Sequence, residues 1–313
     1  MPRFDVTIAG ELNLDLILYG LPDQLPPERE LLASGMALTI GGSSAIVAHN
    51  LAALGCKVGF ISRIGDDAMG RLALDQLQIP RLDTSHVKRI ASPAYTGISV
   101  TLQRDPWRNM LTCPGTIAEV SFDDLDFEYL ADTGHFHFSS YFLQKQLRPH
   151  VPEVFARLKS AGVTISVDTN DDPDATWQGV NDLLPYVDIL MPNANEAQKI
   201  AGTGDLEAAV ARLAEQVPVV VVKQGGAGAL AQRGKARFVS PAVAVTTVDA
   251  VGAGDSFNAG FLSQYVMGAD LPACLRMGNL AGALSTTKPG GVDAFRDASS
   301  RDQFILTGLR SVS

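Results

Sequence analysis

The sequence has no apolar run approaching the ~20 residues that a bilayer-spanning helix requires, so no membrane span is expected. Cysteine is scarce: Cys56, Cys113 and Cys274 are odd in number and far apart. That excludes a disulfide framework, offers no metal-ligand spacing and points to a reducing compartment. Buried, inert thiols are expected, with Cys113, beside Pro114-Gly115, having the best claim to a functional position. Basic residues are outnumbered, 25 against 34 acidic, for a net charge of −9. No basic run or aromatic-interleaved patch occurs, so neither nucleic acid nor an anionic membrane is an expected partner. Repeats and low-complexity stretches are missing too. The chain opens on Phe4-Asp5-Val6-Thr7-Ile8-Ala9-Gly10, a strand and a turn, without a charged region and a long apolar core. No signal peptide is expected, and the expected location is cytoplasmic.

What is present is a large, mildly apolar chain of 313 residues, 46 % of them hydrophobic. Strand patterns alternate with helical ones through most of it, which predicts an α/β fold with a mostly parallel central sheet and helices on both faces. The most informative stretch is Asp249-Ala250-Val251-Gly252-Ala253-Gly254-Asp255-Ser256-Phe257-Asn258-Ala259-Gly260-Phe261. The β-branched run Ala242–Val248 before it reads as an extended approach strand. After it, Phe257, Phe261, Leu262 and Tyr265 recur at helical spacing. The glycines between let the backbone turn tightly and leave successive N–H groups bare at a helix start, an anion site carrying roughly +0.5 of a charge. Asp255 falls in the first turn, where a carboxylate can be an N-cap. Beside bare amides it can also take a proton from a hydroxyl, which is the equipment for phosphoryl transfer to an alcohol. No Gly-Lys-Ser/Thr follows, so this is not a Walker A loop.

Other segments read locally. In Gly10–Tyr19, alternation puts Leu12, Leu14 and Leu16 on one face and Asn13 and Asp15 on the other, as in a half-solvated strand. Leu21–Glu30 is a loop, and Gly41-Gly42-Ser43-Ser44 opens a helix from Ala45 to Leu54, capped at Gly55. Val58–Ser62 is a strand leading to Gly65-Asp66-Asp67, a turn and helix start. Thr96–Leu102 and Met110–Cys113 are strands around the turn Arg104–Asn109. With Leu14–Tyr19 and Ala37–Ile40 they predict a small separate sheet. His135 and His137 alternate in a strand, without a third ligand at zinc spacing. Val163–Val167 ends in Asp168-Thr169-Asn170, polar residues where open α/β sheets bind ligands. Val187–Met191 runs into Asn193 and Glu196, which suit a helix cap, and a lone Glu also suits a cation that keeps most of its water. Pro218–Val222 reads as a parallel strand covered on both faces, ending in Lys223-Gln224-Gly225-Gly226-Ala227-Gly228.

The Asp249–Phe261 stretch, together with Gly41-Gly42 and the Leu51, Leu54 and Gly55 that follow, resembles the two signatures of the ribokinase-like (PfkB) carbohydrate kinase family, and the likeness spans nearly the whole chain. It implies a ribokinase-like three-layer fold over residues 1–313 as one domain, with a β-sheet lid from about 12–40 and 94–118. The implied reaction is ATP-dependent transfer of the γ-phosphoryl to a hydroxymethyl group of a sugar; a nucleoside is the alternative acceptor. By resemblance Asp255 is the base and Gly252, Ala253 and Gly254 form the anion hole. Asn13, Asp15, Gly41, Gly42 and Ser43 bind the sugar. Asn193 and Glu196 organise Mg2+ and phosphates, largely through water. Lys223, Gly225, Gly226 and Gly228 lie against ATP ribose and phosphates, and Asn279 lies near the adenine. Backbone oxygens around Asp249 and Val251 hold a monovalent cation such as K+, and the lid doubles as the contact of a homodimer. Two departures stand out: Ile46 replaces an Asn that often contacts sugar, and Lys223 replaces a frequent Thr or Ser. Ser43-Ser44 after the diglycine, with no basic residue, disfavours a sugar-phosphate acceptor. A non-catalytic sugar sensor is the remaining reading, against which Asp255 and Glu196 argue.

Overall fold

The computed structural model describes residues 2–104 and 107–310. Its strands are β1 (Val6–Ala9), β2 (Asn13–Tyr19), β3 (Gly35–Gly41), β4 (Val58–Gly65), β5 (Leu82–Ile90), β6 (Ile98–Arg104), β7 (Trp107–Cys113), β8 (His135–Ser139), β9 (Thr164–Asp168), β10 (Ile189–Leu190), β11 (Val219–Lys223), β12 (Ala229–Arg233) and β13 (Ala236–Ser240). Nine of them form one sheet in the order β13-β12-β11-β10-β9-β8-β1-β4-β5. From β11 to β5 every pairing is parallel, and β12 and β13 add an antiparallel hairpin at one edge. The other four make a separate sheet, β3-β2-β6-β7.

Alternation along the central strands explains why both faces are covered. In β11, Val220 and Val222 join one apolar cluster with the Val151–Ser160 and Leu206–Ala214 helices. Val219 and Val221 join the other, with the Ser43–Ala53 and Ala253–Tyr265 helices. A parallel strand needs this double cover because its neighbours arrive by helical crossovers. In β8 and β9 the two faces differ: Phe136, Phe138, Ile165 and Val167 enter the first cluster. The opposite face carries His135, His137, Ser166 and Asp168, a buried polar stripe with half-buried Thr164 at its start. There His135 bonds to the Thr164 and Ser166 hydroxyls and His137 to Ser166, each at 2.8 Å. The two rings are thus held by hydroxyls; burial pushes their pKa values down, to about 3 and about 4.

Several expectations from sequence are corrected. Ala242–Val248 forms no strand; it runs alongside the C-terminal helices without a sheet partner, and the amides of Val248 and Asp249 go to the Thr286 carbonyl. Asn13 and Asp15 are not half solvated but buried, because Gly41 and Gly42 close over their side chains and that face of β2 turns toward Asp255 and Asp249. The turn expected over Arg104–Asn109 is shorter, since β6 runs to Arg104 and β7 resumes at Trp107; Asp105 and Pro106 lie outside the described residues. Cys113 is exposed rather than buried, at the end of edge strand β7, while Cys56 and Cys274 are buried as expected. The sequence reading did not separate β5 or the β12–β13 hairpin. β5 (Leu-Asp-Thr-Ser-His-Val-Lys-Arg-Ile) is mostly polar, as an edge strand with few inward positions allows.

The Ala253–Tyr265 helix packs against the Leu271–Ser285 helix through Gly260, where an added Cβ would lie 2.5 Å from the Met277 carbonyl oxygen. Backbones this close leave no room for a side chain. Gly260→Leu is expected to destabilise the protein by about 2–3 kcal/mol through forced separation of the two helices; a thermal melt that matches wild type would contradict this packing.

Candidate active site

Strand order reverses beside β1: the chain builds outward to β4 and β5 on one side and to β8 through β11 on the other. Open parallel sheets leave a crevice at such a point, beyond the strands' carboxyl ends. The residues that arrive there are Gly10-Glu11 after β1, Ser139-Ser140 after β8, Asp168-Thr169-Asn170 after β9, Asn193 after β10 and Lys223 at the end of β11. The second sheet delivers Asn13 and Asp15 from β2, and two helices point their N-termini into the same place, Ser43–Ala53 and Ala253–Tyr265.

Gly252 begins the second of these helices with φ +70°, ψ 7°, a left-handed conformation that glycine adopts freely. Among the described residues the amides of Gly252 and Gly254 reach no protein acceptor, and that of Ala253 reaches only the Ala250 carbonyl, at 3.4 Å. The hinge is fixed from outside. Asp249 accepts from the Val251 amide at 2.9 Å, the Gly290 amide at 3.1 Å and the Tyr19 hydroxyl at 3.2 Å. From the diglycine helix, Asn50 donates to Ser256 Oγ at 3.0 Å and to the Gly291 carbonyl at 2.9 Å. Ile46 lies at the same junction, its Cδ1 3.2 Å from where a Cβ on Gly252 would stand. At this position the chain uses an aliphatic side chain to pack the hinge. Asp255, only 8 % exposed, sits on the first turn. Burial, followed by the charge of Asp168, pushes its carboxyl up to about 6, a poise suited to taking a proton near neutral pH.

On the side of the second sheet, Gly41 and Gly42 pass directly over Asn13 and Asp15, whose side chains hydrogen bond to each other at 3.2 Å. Burial and the nearby charges of Asp255 and Asp249 raise Asp15 to about 7. Ser43 opens the helix here and accepts from Asn170 Nδ2 at 3.0 Å. On the side of β10 and β11, Asn193 and Glu196 form a complete capping box: Glu196 N–H donates to Asn193 Oδ1 at 3.0 Å, and Asn193 N–H donates to Glu196 Oε2 at 2.8 Å. Burial and then Asp168 lift Glu196 to about 7. Lys223 forms an ion pair with Asp168. Gly225, Gly226 and Gly228 make the turn after β11. Asn279 donates to the carbonyls of Ser240 and Pro241, both at 3.0 Å, tying its helix to the end of β13. Asn13, Asp15, Gly41, Gly42, Ser43 and Asp255 therefore meet at one end of the crevice, with Lys223, Asn193 and Glu196 beside them. Two depressions of 270 and 480 Å³ lie elsewhere, around Phe4 and His135 and around Gln76 and Arg296, and neither is lined by any of these residues.

The pfkB family carbohydrate kinase model matches residues 3–297. The chain belongs to this family. It is 30 % identical over 292 residues to an ATP-dependent ribose-1-phosphate kinase of Halopiger xanaduensis, covering 92 % of this chain and 94 % of that one. Among solved structures it resembles an Arabidopsis thaliana ribokinase complexed with ribose and ATP (TM-score 0.80, 25 % identity, 96 % and 98 % of the two chains). An adenosine kinase from Sinorhizobium meliloti shares the fold (TM-score 0.83, 23 % identity, 96 % and 99 %).

Within this carbohydrate kinase the geometry adds residues that the sequence reading left out of the site. Glu11 is buried and accepts from Ser140 Oγ at 2.6 Å, Ser44 Oγ at 2.8 Å and the Ser44 amide at 3.2 Å, so it caps the diglycine helix from the adjoining strand end. Its own carboxyl is raised by burial. Asp168 and Asn170 were marked only as lying at a ligand-binding strand end; Asn258 carried no signal beyond helical spacing. Glu11 had a local cue in the polar residue directly after a β1-Gly turn.

The crowding of acids has a stability consequence. A carboxyl whose folded pKa is raised contributes its full stability below the unfolded value and loses it as pH climbs through the folded value. For Asp15 that window runs from 3.8 to about 7. Asp15→Asn is therefore expected to raise the melting temperature of the ligand-free kinase at pH 8 by about 3–5 °C and by clearly less at pH 5. Equal shifts at both values, or a loss at pH 8, would contradict the burial of a strained charge.

Proposed function

We propose that this kinase moves the γ-phosphoryl of ATP to a hydroxymethyl group of a sugar, with Asp255 as the base and the amides of Gly252, Ala253 and Gly254 as the anion hole. The observation that carries the reading is the pairing of unsatisfied amides at a left-handed helix start with a buried carboxyl poised near neutrality on the next residue. Asp255 accepts the hydroxyl proton as the oxygen attacks, while the bare N–H groups hold charge that grows on the transferred group. Asn13 and Asp15 offer an amide and an acid to vicinal hydroxyls, with Gly41, Gly42 and Ser43 presenting backbone close by.

The donor's phosphates fit on the side of Lys223, Gly225, Gly226 and Gly228, and its adenine beside Asn279. The acids there suit a divalent cation: Glu196 and Asp168 both press negative charge into a buried space in which Lys223 is the opposing cation. Mg2+, bound through Glu196 and Asn193 largely by way of water, would neutralise phosphate charge. The backbone at Asp249 and Val251, braced by the Asp249 carboxylate, is the proposed seat of a monovalent cation such as K+. The β3-β2-β6-β7 sheet is read as a lid that excludes water, a competing acceptor. Met36, Met110 and Leu111 lie exposed on its strands, which supports a homodimer formed through the lid. No helix among the described residues is long and apolar enough to cross a membrane, in keeping with a cytoplasmic enzyme supplied with ATP.

A nucleoside acceptor is the second reading, favoured by Ile46: an aliphatic group packs the hinge in place of an amide that would bind sugar. A panel of pentoses, hexoses and nucleosides, read by ADP release, separates the two readings. With the best acceptor, kcat/KM should rise with pH through about 6 as Asp255 loses its proton. Asp255→Asn should keep ATP binding and lower turnover by ~10²-fold or more. Turnover near wild type would remove Asp255 from the chemistry, and no ADP release with any acceptor would leave the chain a sugar sensor.

A further inference from the structure

Beneath the first turn of the Ala253–Tyr265 helix lies a buried ion pair that the resemblance does not call for. Lys223 Nζ meets Asp168 Oδ2, with side-chain exposures of 12 % and 0 %. The same Asp168 oxygen accepts from Asn258 Nδ2 at 2.6 Å, and Asn258 stands one turn beyond Asp255 on the helix. Asp168 Oδ1 takes the Asn170 amide at 3.3 Å. The lysine stem runs along the underside of the hinge: a Cβ on Gly254 would be 3.5 Å from Nζ and 3.9 Å from Cδ and Cε. One acid at the end of β9 thus fastens both the end of β11 and the helix that carries the base. Burying such a pair gains little stability over apolar residues of similar volume, so its place beside the base needs another reason.

We propose that Asp168 and Lys223 are positioning residues that act as a charge-balanced pair on Asp255, bracing its helical turn through Asn258 and the underside of Gly254 and setting opposite charges beneath it so that neither alone governs the base. The inference rests on the reading of Asp255 as base. Of the charges that act on Asp255, that of Asp168 from β9 comes first and raises its carboxyl, that of Lys223 from β11 opposes it, and that of Glu11 from the turn after β1 adds to the rise; Asp255 in turn raises Asp15 from β2, and Lys223 is the single cation among these groups. The charge of Glu196 acts on Lys223, and both charges of the pair act on His137. Removing the acid leaves an unopposed ammonium beside the base, and removing the ammonium leaves an unopposed acid, so the two deletions act with opposite sign. A purely structural contact would move both in the same way or not at all.

The full chain labelled with 13C at aspartate carboxyls provides a readout that needs no acceptor; the signal lost in Asp255→Asn identifies Asp255. Asp168→Asn should move its titration midpoint down by about one unit and Lys223→Met should move it up by a similar amount. The double variant should return it to within about 0.3 unit of wild type, since the two opposing charges leave together. Midpoints that shift the same way in both single variants, or stay put in both, overturn the proposal. Should a single variant fail to fold, the double variant, with no uncompensated charge, decides: an unshifted midpoint supports balance and a shifted one contradicts it. The two failures stay distinguishable. An active Asp255→Asn kinase defeats the assignment of the base, whereas an inactive Asp255→Asn kinase, together with an Asp255 midpoint that stays put in both the Asp168→Asn and Lys223→Met variants, defeats only the pair.

Discussion

Crowded negative charge at the carboxyl ends of parallel strands is the constraint on which the rest of this molecule depends. Glu11, Asp15, Asp168, Glu196 and Asp255 converge on one crevice, all of them buried. Burial raises four of their carboxyls, and mutual repulsion adds to the effect for Asp15, Glu196 and Asp255. Against this stand one ammonium, the bare amides at the Gly252 hinge and a network of hydroxyls and amides. Such an arrangement strains the empty protein and becomes favourable when a polyanionic donor brings cations with it and an acceptor brings hydroxyls. Function and instability share the same atoms.

Two helix N-termini open onto the crevice. Each projects partial positive charge toward it, but they are finished differently. The diglycine helix is capped from within by Glu11, which takes both the amide and the hydroxyl of Ser44. The Gly252 helix has no side-chain cap, and its first amides stay open. One end is closed by the protein and the other is open, as the proposed anion hole requires. Asn50 and Ile46, from the closed helix, hold the open one in register through Ser256, Gly291 and Gly252.

Legibility followed sequence distance. The Gly252–Asp255 hinge could be read directly because its glycines, its acid and its helical spacing are neighbours in the chain. Asn193 and Glu196 were legible in two ways at once, as a helix cap and as holders of a hydrated cation; the structure shows the cap, with Asn193 Nδ2 also donating to Glu196 Oε1 at 2.5 Å. The Asp168–Lys223 pair was not legible, since its partners stand 55 residues apart and meet only when β9, β10 and β11 align. Asn13 and Asp15 misled in a similar manner. Alternation in one strand implies a wet face, and only the approach of Gly41-Gly42 and of the distant Asp249–Asp255 segment reverses that. Ala242–Val248 failed for the opposite reason: its β-branched residues fit a strand, yet the amides of Val248 and Asp249 at its end are taken by the Thr286 carbonyl and no strand pairs with it.

The central claim is that the open amides of the hinge and the adjoining acid act together on a phosphoryl group in flight. Its most direct test is a crystal structure of the kinase with ADP, Mg2+, aluminium fluoride and the acceptor that releases ADP fastest. The account predicts the fluoride group within about 3 Å of the Gly252–Gly254 amides and the acceptor oxygen in line with it, at hydrogen-bond distance from Asp255. A fluoride group bound away from those amides, or an acceptor hydroxyl held by some other side chain, would contradict it.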